Sequence, residues 1–562
     1  MKTVLCIIGE ELSAENEAAI LQYDQEDILI HLYTNAIKEG ISIGTILELF
    51  DQIEIAEVAT NRYLMSDMPD YLTTAEALYS GLFGKFLYLP HMGRNYSTGD
   101  LIREETDKNK VLILSYLVEM LADQQDFQQM NYLVLNSNEF TLYNRYYYWR
   151  QTMRILLRKK NLKDTIQLEG LYQSIYQGYY DACKDLLKPV YKETRRRNLI
   201  YLITLQFIGL QHPPTRSALE RISVLSKQLQ KQVKVINTRE PMTQLGKFPM
   251  FAATKASLNE SLFGSKEYLY DGMQFTIEQS TLDMPEIGEV RKILQEIRTE
   301  KPYMILVMGN SSIVADMAAH IVPVINIPVV FSSTVARPGQ YTAIGRRFSS
   351  TERQQLFHSD SVPTNIIEST FSFSLKEQIN HYQRIDFHLP EERFLLLVVG
   401  TRLHDEVDVE FIDTIRPLLH EGAFLVFAGR FDGYEKRCEV DSDLKNLSTF
   451  VGFQDDIMAF DELMDLYVNP KRSGGGYSVI EAFSKGVPCI TLRYGDIAAA
   501  AGDEFCVETY MEMRDSIRRY MNDSEFYQNQ VKKAKRRVTE VTDAVGALQH
   551  IMKEAESREL FF

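Results

Sequence analysis

The sequence predicts an α/β fold in which two Rossmann-like domains face each other across a cleft, with an additional N-terminal α+β region. Two stretches carry this prediction: a strand, a loop and a helix follow one another from Asn198, and the same order returns within 465–491. Buried strands that alternate with helices are typical of parallel sheets, which bind ligands at the carboxyl ends of their strands. With 562 residues, the chain is long enough for two or three domains. The predicted parts are the N-terminal region 1–190, a first Rossmann-like domain 191–385, a second one 386–540 and a C-terminal helix 541–562.

Composition and charge narrow the class of protein. A hydrophobic share of 45% and a charged share of 25% are ordinary for a globular chain. The formal net charge of −16 disfavours a broad electrostatic surface for nucleic acid, so we expect no nucleic-acid partner. Five scattered cysteines without a CxxC pair favour a reduced, cytoplasmic protein without a metal site. No apolar run reaches the length of a membrane span, and we therefore predict no transmembrane segment.

In residues 1–190 the sequence favours strands followed by helices. Strands are expected at 4–8, 28–32, 52–58 and 85–89, and the spacing of apolar residues is helical from Thr106 onward. Tyrosines are dense on these helices, and we expect them to pack an interface. The region is expected to serve acceptor recognition or oligomerisation.

Two basic clusters, 158–163 and 195–197, leave two interpretations open. They are either solvated faces of helices or a patch that meets a phosphorylated acceptor or an anionic membrane. The second interpretation would add a peripheral contact at the inner face of the membrane to the expected cytoplasmic location.

The first Rossmann-like domain should lie on the acceptor side. Its first strand leads into a loop with His212, which is either a group that binds the acceptor or transfers a proton, or an ordinary loop histidine. Further strands are expected at 304–307 and 328–331, on either side of a helix. Gly309 and Asn310 follow the first of these strands, where a helix N-terminus can hold a phosphate or a sugar hydroxyl.

The most informative stretch is 465–491, with the sequence DLYVNPKRSGGGYSVIEAFSKGVPCIT. It predicts a buried strand, a glycine turn at 474–476, a helix from about Tyr477 to Gly486, and a second buried strand. The backbone N–H groups of such a turn can bind phosphate, and Glu481 on the helix can reach a ribose beside it. A nucleotide is therefore the expected ligand, and packing alone is the alternative explanation for the glycines.

This stretch resembles the donor-binding motif of GT-B glycosyltransferases, in particular the retaining family four. The family motif has an acid, a Gly-rich turn, a second acid eight positions on, and then Gly, a hydrophobic residue and Pro. Glu481 matches the second acid, and Gly486 and Pro488 match the end, whereas Ser473 stands in the position of the first acid. The resemblance covers residues 390–540.

Two further segments carry the resemblance. A buried strand that ends in Gly-Thr-Arg-Leu is similar to the family strand whose arginine, together with a following lysine, holds the donor diphosphate. Arg402 matches the arginine, and the lysine position falls at Glu406 or Val407. The nearest basic substitutes are Lys471 and Arg472. A Gly-Phe pair at 452–453 matches the loop that packs on the nucleotide base.

The resemblance implies a GT-B enzyme that takes a nucleotide sugar, with a UDP-sugar as the expected donor and with no permanently bound cofactor or metal. Arg402, Lys471, Arg472 and the amides of the glycine turn are expected to stabilise the leaving diphosphate. His212 and Arg402 are the catalytic candidates. The donor is expected to contact Gly309, Asn310, Arg402, Phe453, Lys471, Arg472, Ser473, Gly474, Gly475, Gly476, Tyr477 and Glu481.

The expected function is that of a metal-independent hexosyltransferase acting on a glycan or a protein, as in bacterial surface glycan synthesis or protein glycosylation. We expect it to work as a homo-oligomer or with another glycosylation protein. The alternative is a GT-B-like protein that has lost catalysis and serves as a binding or chaperone subunit of a glycosylation or secretion complex. Ser473 favours this alternative. An epimerase of the same fold is a third hypothesis.

Overall fold

The structure is a computed structural model that describes residues 4–9, 28–33 and 106–558, the last range with gaps. The gaps fall at 109, 112–113, 116–117, 119–121, 160, 164–165, 211, 241–258, 283, 310–311, 329–338, 349, 360 and 371. The strands predicted at 52–58 and 85–89 lie outside the described residues. The chain divides into two compact units, the first comprising Met1–Lys184, Arg239–Glu260 and Leu282–Arg291, and the second comprising Asp185–Thr238, Ser261–Thr281 and Lys292–Phe562.

The described part of the first unit contains a parallel strand pair and helices. The strands predicted at 4–8 and 28–32 are confirmed, and they pair with each other. Three tyrosines on the helices, Tyr146, Tyr148 and Tyr179, are at most 1% exposed, so they pack as predicted. The elements are β1 (Val4–Gly9), β2 (Ile28–Tyr33), α1 (Gln124–Asn136), α2 (Leu142–Arg158) and α3 (Ile166–Cys183).

The second unit contains two sheets, and we call the first sheet with its helices the first lobe. Its strands are β3 (Arg196–Thr204), β4 (Gln232–Asn237), β5 (Gly264–Tyr270), β6 (Met273–Gln279), β7 (Pro302–Met308), β8 (Val324–Ile327), β9 (Tyr341–Ile344) and β10 (Ile366–Glu368). Their order is β10-β9-β8-β7-β3-β4-β6-β5, and only the β5–β6 pair is antiparallel. The helices are α4 (Pro213–Ser223), which continues as a π-helical turn at Val224–Gln228, α5 (Ile287–Glu300), α6 (Ile313–Ala318) and α7 (Ser350–Phe357). The residues of α5 up to Arg291 belong to the first unit.

The central strands of the first lobe are apolar because both faces of the sheet are covered. Every residue of β7, β8 and β9 is buried. Of the strand predicted at 328–331, only Pro328 is described, and it follows β8, which ends at Ile327; residues 329–331 lie outside the described residues. Asn326 is buried within β8 and interrupts its apolar run, whereas proline has no N–H for a strand ladder.

We call the second sheet with its helices the second lobe. Its strands are β11 (Phe394–Gly400), β12 (Ala423–Gly429), β13 (Ser448–Phe450), β14 (Leu466–Asn469), β15 (Cys489–Leu492) and β16 (Cys506–Val507). All pairs are parallel, in the order β13-β12-β11-β14-β15-β16. The helices are α8 (Leu403–Glu406), α9 (Val409–His420), α10 (Tyr434–Val440), α11 (Ser442–Leu447), α12 (Ile457–Asp461), α13 (Gly476–Ser484), α14 (Gly495–Ala501), α15 (Tyr510–Asn522) and α16 (Ser524–Val541).

Each sheet has a switch point, where the chain passes from one side of its first strand to the other. In the first lobe this point lies between β3 and β7, and in the second lobe it lies between β11 and β14. The loops that leave two such neighbouring strands run in opposite directions, which opens a crevice at their carboxyl ends. The two switch points are therefore the places at which the fold offers ligand sites.

The last helix, α17 (Ala544–Arg558), returns to the first lobe. Leu548, Ile551 and Ala555 are buried within the core of the first lobe, and Arg558 Nη1 donates to the carbonyl oxygen of Ile366 at 2.6 Å. The two sheets with their helices confirm the predicted α/β fold with two Rossmann-like domains. Among the helices of the described residues, none is both long and apolar enough to cross a membrane.

Candidate functional site

The candidate site lies at the switch point of the second lobe, where the carboxyl ends of β11 and β14 lie side by side. Glycines allow the chain to pass closely here. Gly429 has a φ of +115°, and a Cβ at this position would lie 2.0 Å from the carbonyl oxygen of Gly400. The Gly429 N–H donates to the carbonyl oxygen of Gly452 at 2.7 Å. The strand ends beside the switch point are therefore drawn together without side chains between them.

The glycine turn, residues 474–476, leads into α13. Gly475 is the N-cap with a φ of +107°, and no side chain caps the helix. The first N–H groups of an α-helix have no acceptor within the helix, so this turn can offer them to an anion. Helix α14 supports the turn, because Asp496 N–H donates to the carbonyl oxygen of Ser473 at 2.8 Å. A Cβ at Gly495 would lie 2.2 Å from the carbonyl oxygen of Arg472, which explains the glycine at this approach.

Arg402 presents its guanidinium beside the glycine turn. Its side chain is 61% exposed, and a Cβ at Gly474 would lie 3.9 Å from Arg402 Nη2. Glu406, four residues later, accepts from Arg402 Nε at 3.2 Å and from Nη2 at 3.0 Å. The Arg402 guanidinium, which follows β11, thus lies beside the uncapped N-terminus of α13, which follows β14. Both are at the switch point of the second lobe.

Arg472 lies beneath the turn, with only 4% of its side chain exposed. Its guanidinium donates to Asn469 Oδ1 at 2.7 Å, to the Tyr467 hydroxyl at 2.9 Å and to Glu406 Oε2 at 3.1 Å. Gly400 leaves room for it, since a Cβ there would clash with Arg472 Nη1. Arg472 therefore supports the turn from within, and its predicted direct contact with the donor stays a prediction.

Three other predicted donor contacts lie on the surface of the second lobe. Phe453 is 71% exposed, and Ser473 is exposed as well. Lys471 is exposed, with its Nζ 5.8 Å from the ring centroid of Tyr494. Their proposed contacts with base, sugar and phosphate stay predictions.

Glu481 on α13 belongs to a small acidic cluster. Burial raises the pKa of Glu481, and the nearby charges of Arg216 and Lys376 oppose that shift. Asp461 at the end of α12 is fully buried, and neither of its carboxylate oxygens has a hydrogen-bond partner. Burial, followed by the charge of Glu481, raises the pKa of Asp461 well above its usual range. Of the two carboxyl groups, Glu481 is the one that is partly open to solvent.

The first lobe meets the start of α13 through helix α4. The Tyr477 hydroxyl donates to the carboxylate of Glu220, with distances of 2.8 and 2.7 Å to the two oxygens. The Tyr477 ring packs edge-on against Phe373, at 4.8 Å between centroids. Burial raises the pKa of Glu220, and the neighbouring Arg221 opposes that shift. Helix α4 thus places a carboxylate and, one turn earlier, Arg216 beside α13.

The first-lobe candidates lie at that lobe's own switch point. His212 precedes α4, and its Nδ1 lies 3.0 Å from Thr215 Oγ1. Burial lowers the pKa of His212, which favours the neutral imidazole. Gly309 follows β7 with a φ of +122°, and a Cβ there would lie 3.2 Å from Leu205, which follows β3. Asn310 lies outside the described residues.

Several polar residues around the glycine turn and α13 were not predicted from the sequence. Only Glu406 carried a usable signal, because its spacing of four residues from Arg402 is that of a helical ion pair. The others lie far from the turn in sequence or inside strands, where nothing in the pattern marks them: Tyr467, Asn469, Glu220 and Asp461. Within the described residues, no group of three or more His, Cys, Asp or Glu side chains could hold a metal ion.

Comparisons with known proteins were made for sequence and for structure. Residues 382–537 match the family model described as glycosyl transferases group 1. This range spans β11 to β16 and contains Arg402, the glycine turn and Glu481. The match therefore assigns a glycosyl transferases group 1 domain to the second lobe. No curated protein sequence matches the chain.

Several solved glycosyltransferase structures are similar to this chain. An O-GlcNAc transferase mutant from Thermobaculum terrenum has 12% identity and a TM-score of 0.49, covering 94% of this chain and 96% of its own. A glycosyltransferase from Rickettsia africae has 10% identity and a TM-score of 0.43, with coverage of 65% and 98%. Anabaena HepE in complex with UDP has 13% identity and a TM-score of 0.42, with coverage of 64% and 100%. At these TM-scores the likenesses carry no argument about what this chain binds.

Proposed function

We propose that this protein is a glycosyltransferase that moves a sugar from a nucleotide sugar, with a UDP-sugar as the donor, to a glycan or protein acceptor. The observation that carries the proposal is the adjacency of Arg402 and the uncapped glycine turn at the switch point of the second lobe. The match of this lobe to glycosyl transferases group 1 supports it.

The chief electrostatic demand of glycosyl transfer is the negative charge that builds up on the leaving diphosphate. The N–H groups of the glycine turn and the helix dipole of α13 would stabilise that charge, and Arg402 would add a guanidinium with bidentate geometry. These groups are fixed before the substrate arrives, so they reorganise little during the reaction. In this proposal the site needs no metal ion, because main-chain donors and Arg402 provide the positive potential.

The rest of the donor would lie along α13 and the neighbouring loop. Glu481 would accept hydrogen bonds from the ribose hydroxyls, and Phe453 would pack on the base. Ser473 would face the sugar. The acceptor would enter from the first lobe, where His212 is a neutral imidazole that can take a proton.

The test is titration of the purified chain with UDP, UMP and uridine, followed by an assay of sugar transfer and donor hydrolysis with a panel of UDP-sugars. We expect UDP to bind at least about tenfold more tightly than uridine, because two or more charge-assisted hydrogen bonds depend on the diphosphate. Arg402→Ala should remove most of that difference.

Arg518→Ala is the matched control. Arg518 is also a surface arginine with two hydrogen bonds to one glutamate, but its partner Glu421 lies before β12, at the opposite end of the sheet. UDP binding without transfer or hydrolysis of any donor would favour a subunit that has lost catalysis. Absence of UDP binding would overturn the proposal.

A further inference from the structure

The carboxylate of Glu406 accepts hydrogen bonds from two arginines beside the glycine turn. Its Oε1 accepts from Arg402 at 3.0 and 3.2 Å, and its Oε2 accepts from Arg472 at 3.1 Å. The side chain of Glu406 is 12% exposed, whereas Arg402 is 61% exposed and Arg472 is 4% exposed. The carboxylate therefore joins an outward guanidinium to an inward one.

The inward arginine is fixed to the framework of the site. Arg472 is held by Asn469 and Tyr467, and the Tyr467 hydroxyl lies 2.8 Å from Ser478 Oγ. Ser478 Oγ in turn donates to the carbonyl oxygen of Gly475 at 2.9 Å. A continuous hydrogen-bonded path therefore runs from the first turn of α13, through β14, to Glu406.

Among the described residues, Glu406 is the only hydrogen-bond partner of the Arg402 side chain on this path. A surface arginine loses much rotamer freedom when it is held in one place, and an ion pair with a fixed carboxylate reduces the cost of holding it there. Without the carboxylate, two neighbouring guanidinium groups would repel each other, and the exposed one would turn toward solvent. The position of Arg402 beside the turn thus depends on the shared carboxylate.

We propose that Glu406 is a positioning residue that fixes Arg402 against the glycine turn and so sets the affinity of the site for a diphosphate. This inference rests on the proposed function for the identity of the ligand. By Coulombic repulsion alone, the negative charge of Glu406 would weaken the binding of an anion nearby, and its removal would raise UDP affinity. If Glu406 positions Arg402, its removal lowers UDP affinity instead.

The experiment measures the affinity for UDP, inorganic pyrophosphate and uridine in Glu406→Gln and in the wild-type chain. If Glu406 positions Arg402, the neutral variant binds UDP at least about tenfold more weakly, the loss of roughly one charge-assisted hydrogen bond. Uridine affinity should not change. Unchanged or tighter UDP binding would overturn the inference while leaving the proposed function intact.

Two controls separate positioning from charge and from folding. Glu410→Gln makes the same change in net charge on a nearby exposed residue and should leave UDP affinity unchanged. Glu406→Asp keeps the charge beside the buried Arg472 but is one methylene shorter. It should weaken UDP binding even if Glu406→Gln does not fold, and unchanged binding in Glu406→Asp would contradict the inference.

A double-mutant cycle gives the decisive readout. In an Arg402→Ala background, Glu406→Gln should have no further effect on UDP affinity, since the residue it positions is gone. Additive effects of the two changes would overturn the inference. If the wild-type chain binds pyrophosphate but not UDP, the proposed function fails and the cycle is run with pyrophosphate. If it binds neither, both proposals fail.

Discussion

The Tyr477 hydroxyl donates to both carboxylate oxygens of Glu220, so the first turn of α13 is tied directly to helix α4 of the first lobe. Tyr477 also belongs to the segment whose N–H groups would hold the diphosphate. Tyr477 therefore links the proposed ligand site to the contact between the two lobes. Because the Glu220 side chain is only 18% exposed beside the buried Arg221, this contact is largely shielded from solvent and should be worth more than a surface hydrogen bond.

The first prediction concerns this contact. Tyr477→Phe removes the hydroxyl while keeping the ring against Phe373, and it should lower the free energy of unfolding by about 1–3 kcal/mol, as for a hydrogen bond to a charged group. Urea unfolding measures the change. Tyr494→Phe is the control, since Tyr494 is 49% exposed, and it should have little effect. Equal losses in the two variants would show that the Tyr477–Glu220 bond contributes nothing of its own.

A second prediction concerns the close approach of β11 and β12. Gly429→Ala should be destabilising on two counts, a φ of +115° and a Cβ only 2.0 Å from the Gly400 carbonyl oxygen. Gly422→Ala shares the unfavourable φ, at +114°, but a Cβ there meets nothing within 4 Å. We expect Gly422→Ala to lower the free energy of unfolding by about 1–2 kcal/mol, and Gly429→Ala to lower it by roughly 1–3 kcal/mol more. Similar unfolding curves for the two variants would contradict the described contact.

Asp461 should make the stability depend on pH. Its pKa is raised in the folded chain, so the folded state keeps the proton to a higher pH than the unfolded state does. The stability contributed by the neutral form is present below the unfolded pKa and is lost as the pH rises toward the folded pKa. Asp461→Asn should flatten this decline in urea titrations, whereas Asp455→Asn, an exposed charge-matched control, should not. An unchanged slope in Asp461→Asn would contradict the assignment.

The affinity for UDP should also depend on pH through Glu481. Burial raises the pKa of this carboxyl, and only the ionised form accepts hydrogen bonds at both oxygens. UDP affinity should therefore rise as the pH rises through that pKa, and Glu481→Gln should remove this pH dependence.

Glu481→Ala should weaken UDP binding by about tenfold or more, the loss of hydrogen bonds to a charged group. Unchanged UDP affinity in a folded Glu481→Ala variant would contradict the ribose assignment.

Local signals in the sequence predicted the glycine turn and the helix that follows it. The glycines at 474–476 and the Gly486–Pro488 ending predicted a helix between two strands, and the structure has α13 at Gly476–Ser484 between β14 and β15. Periodicity and turn residues act over a few positions, so they mark such units reliably. Strand β8 was not predicted, because the buried Asn326 interrupts its apolar run.

The environment of the site could not be predicted in the same way. Whether Arg472 points outward or inward depends on Asn469, Tyr467 and Glu406, which meet it only when β11 and β14 are adjacent in the sheet. The Tyr477–Glu220 bond joins residues of different lobes. Contacts of this kind depend on tertiary packing, which no local pattern of residues specifies.

The most direct test of the account is a crystal structure of the chain with UDP. We expect the diphosphate oxygens to lie about 2.7–3.2 Å from the N–H groups of the glycine turn and from the Arg402 guanidinium, as in ordinary hydrogen bonds. We also expect the ribose to lie beside Glu481. A diphosphate bound elsewhere, with the glycine turn and Arg402 making no contact to it, would contradict the central claim.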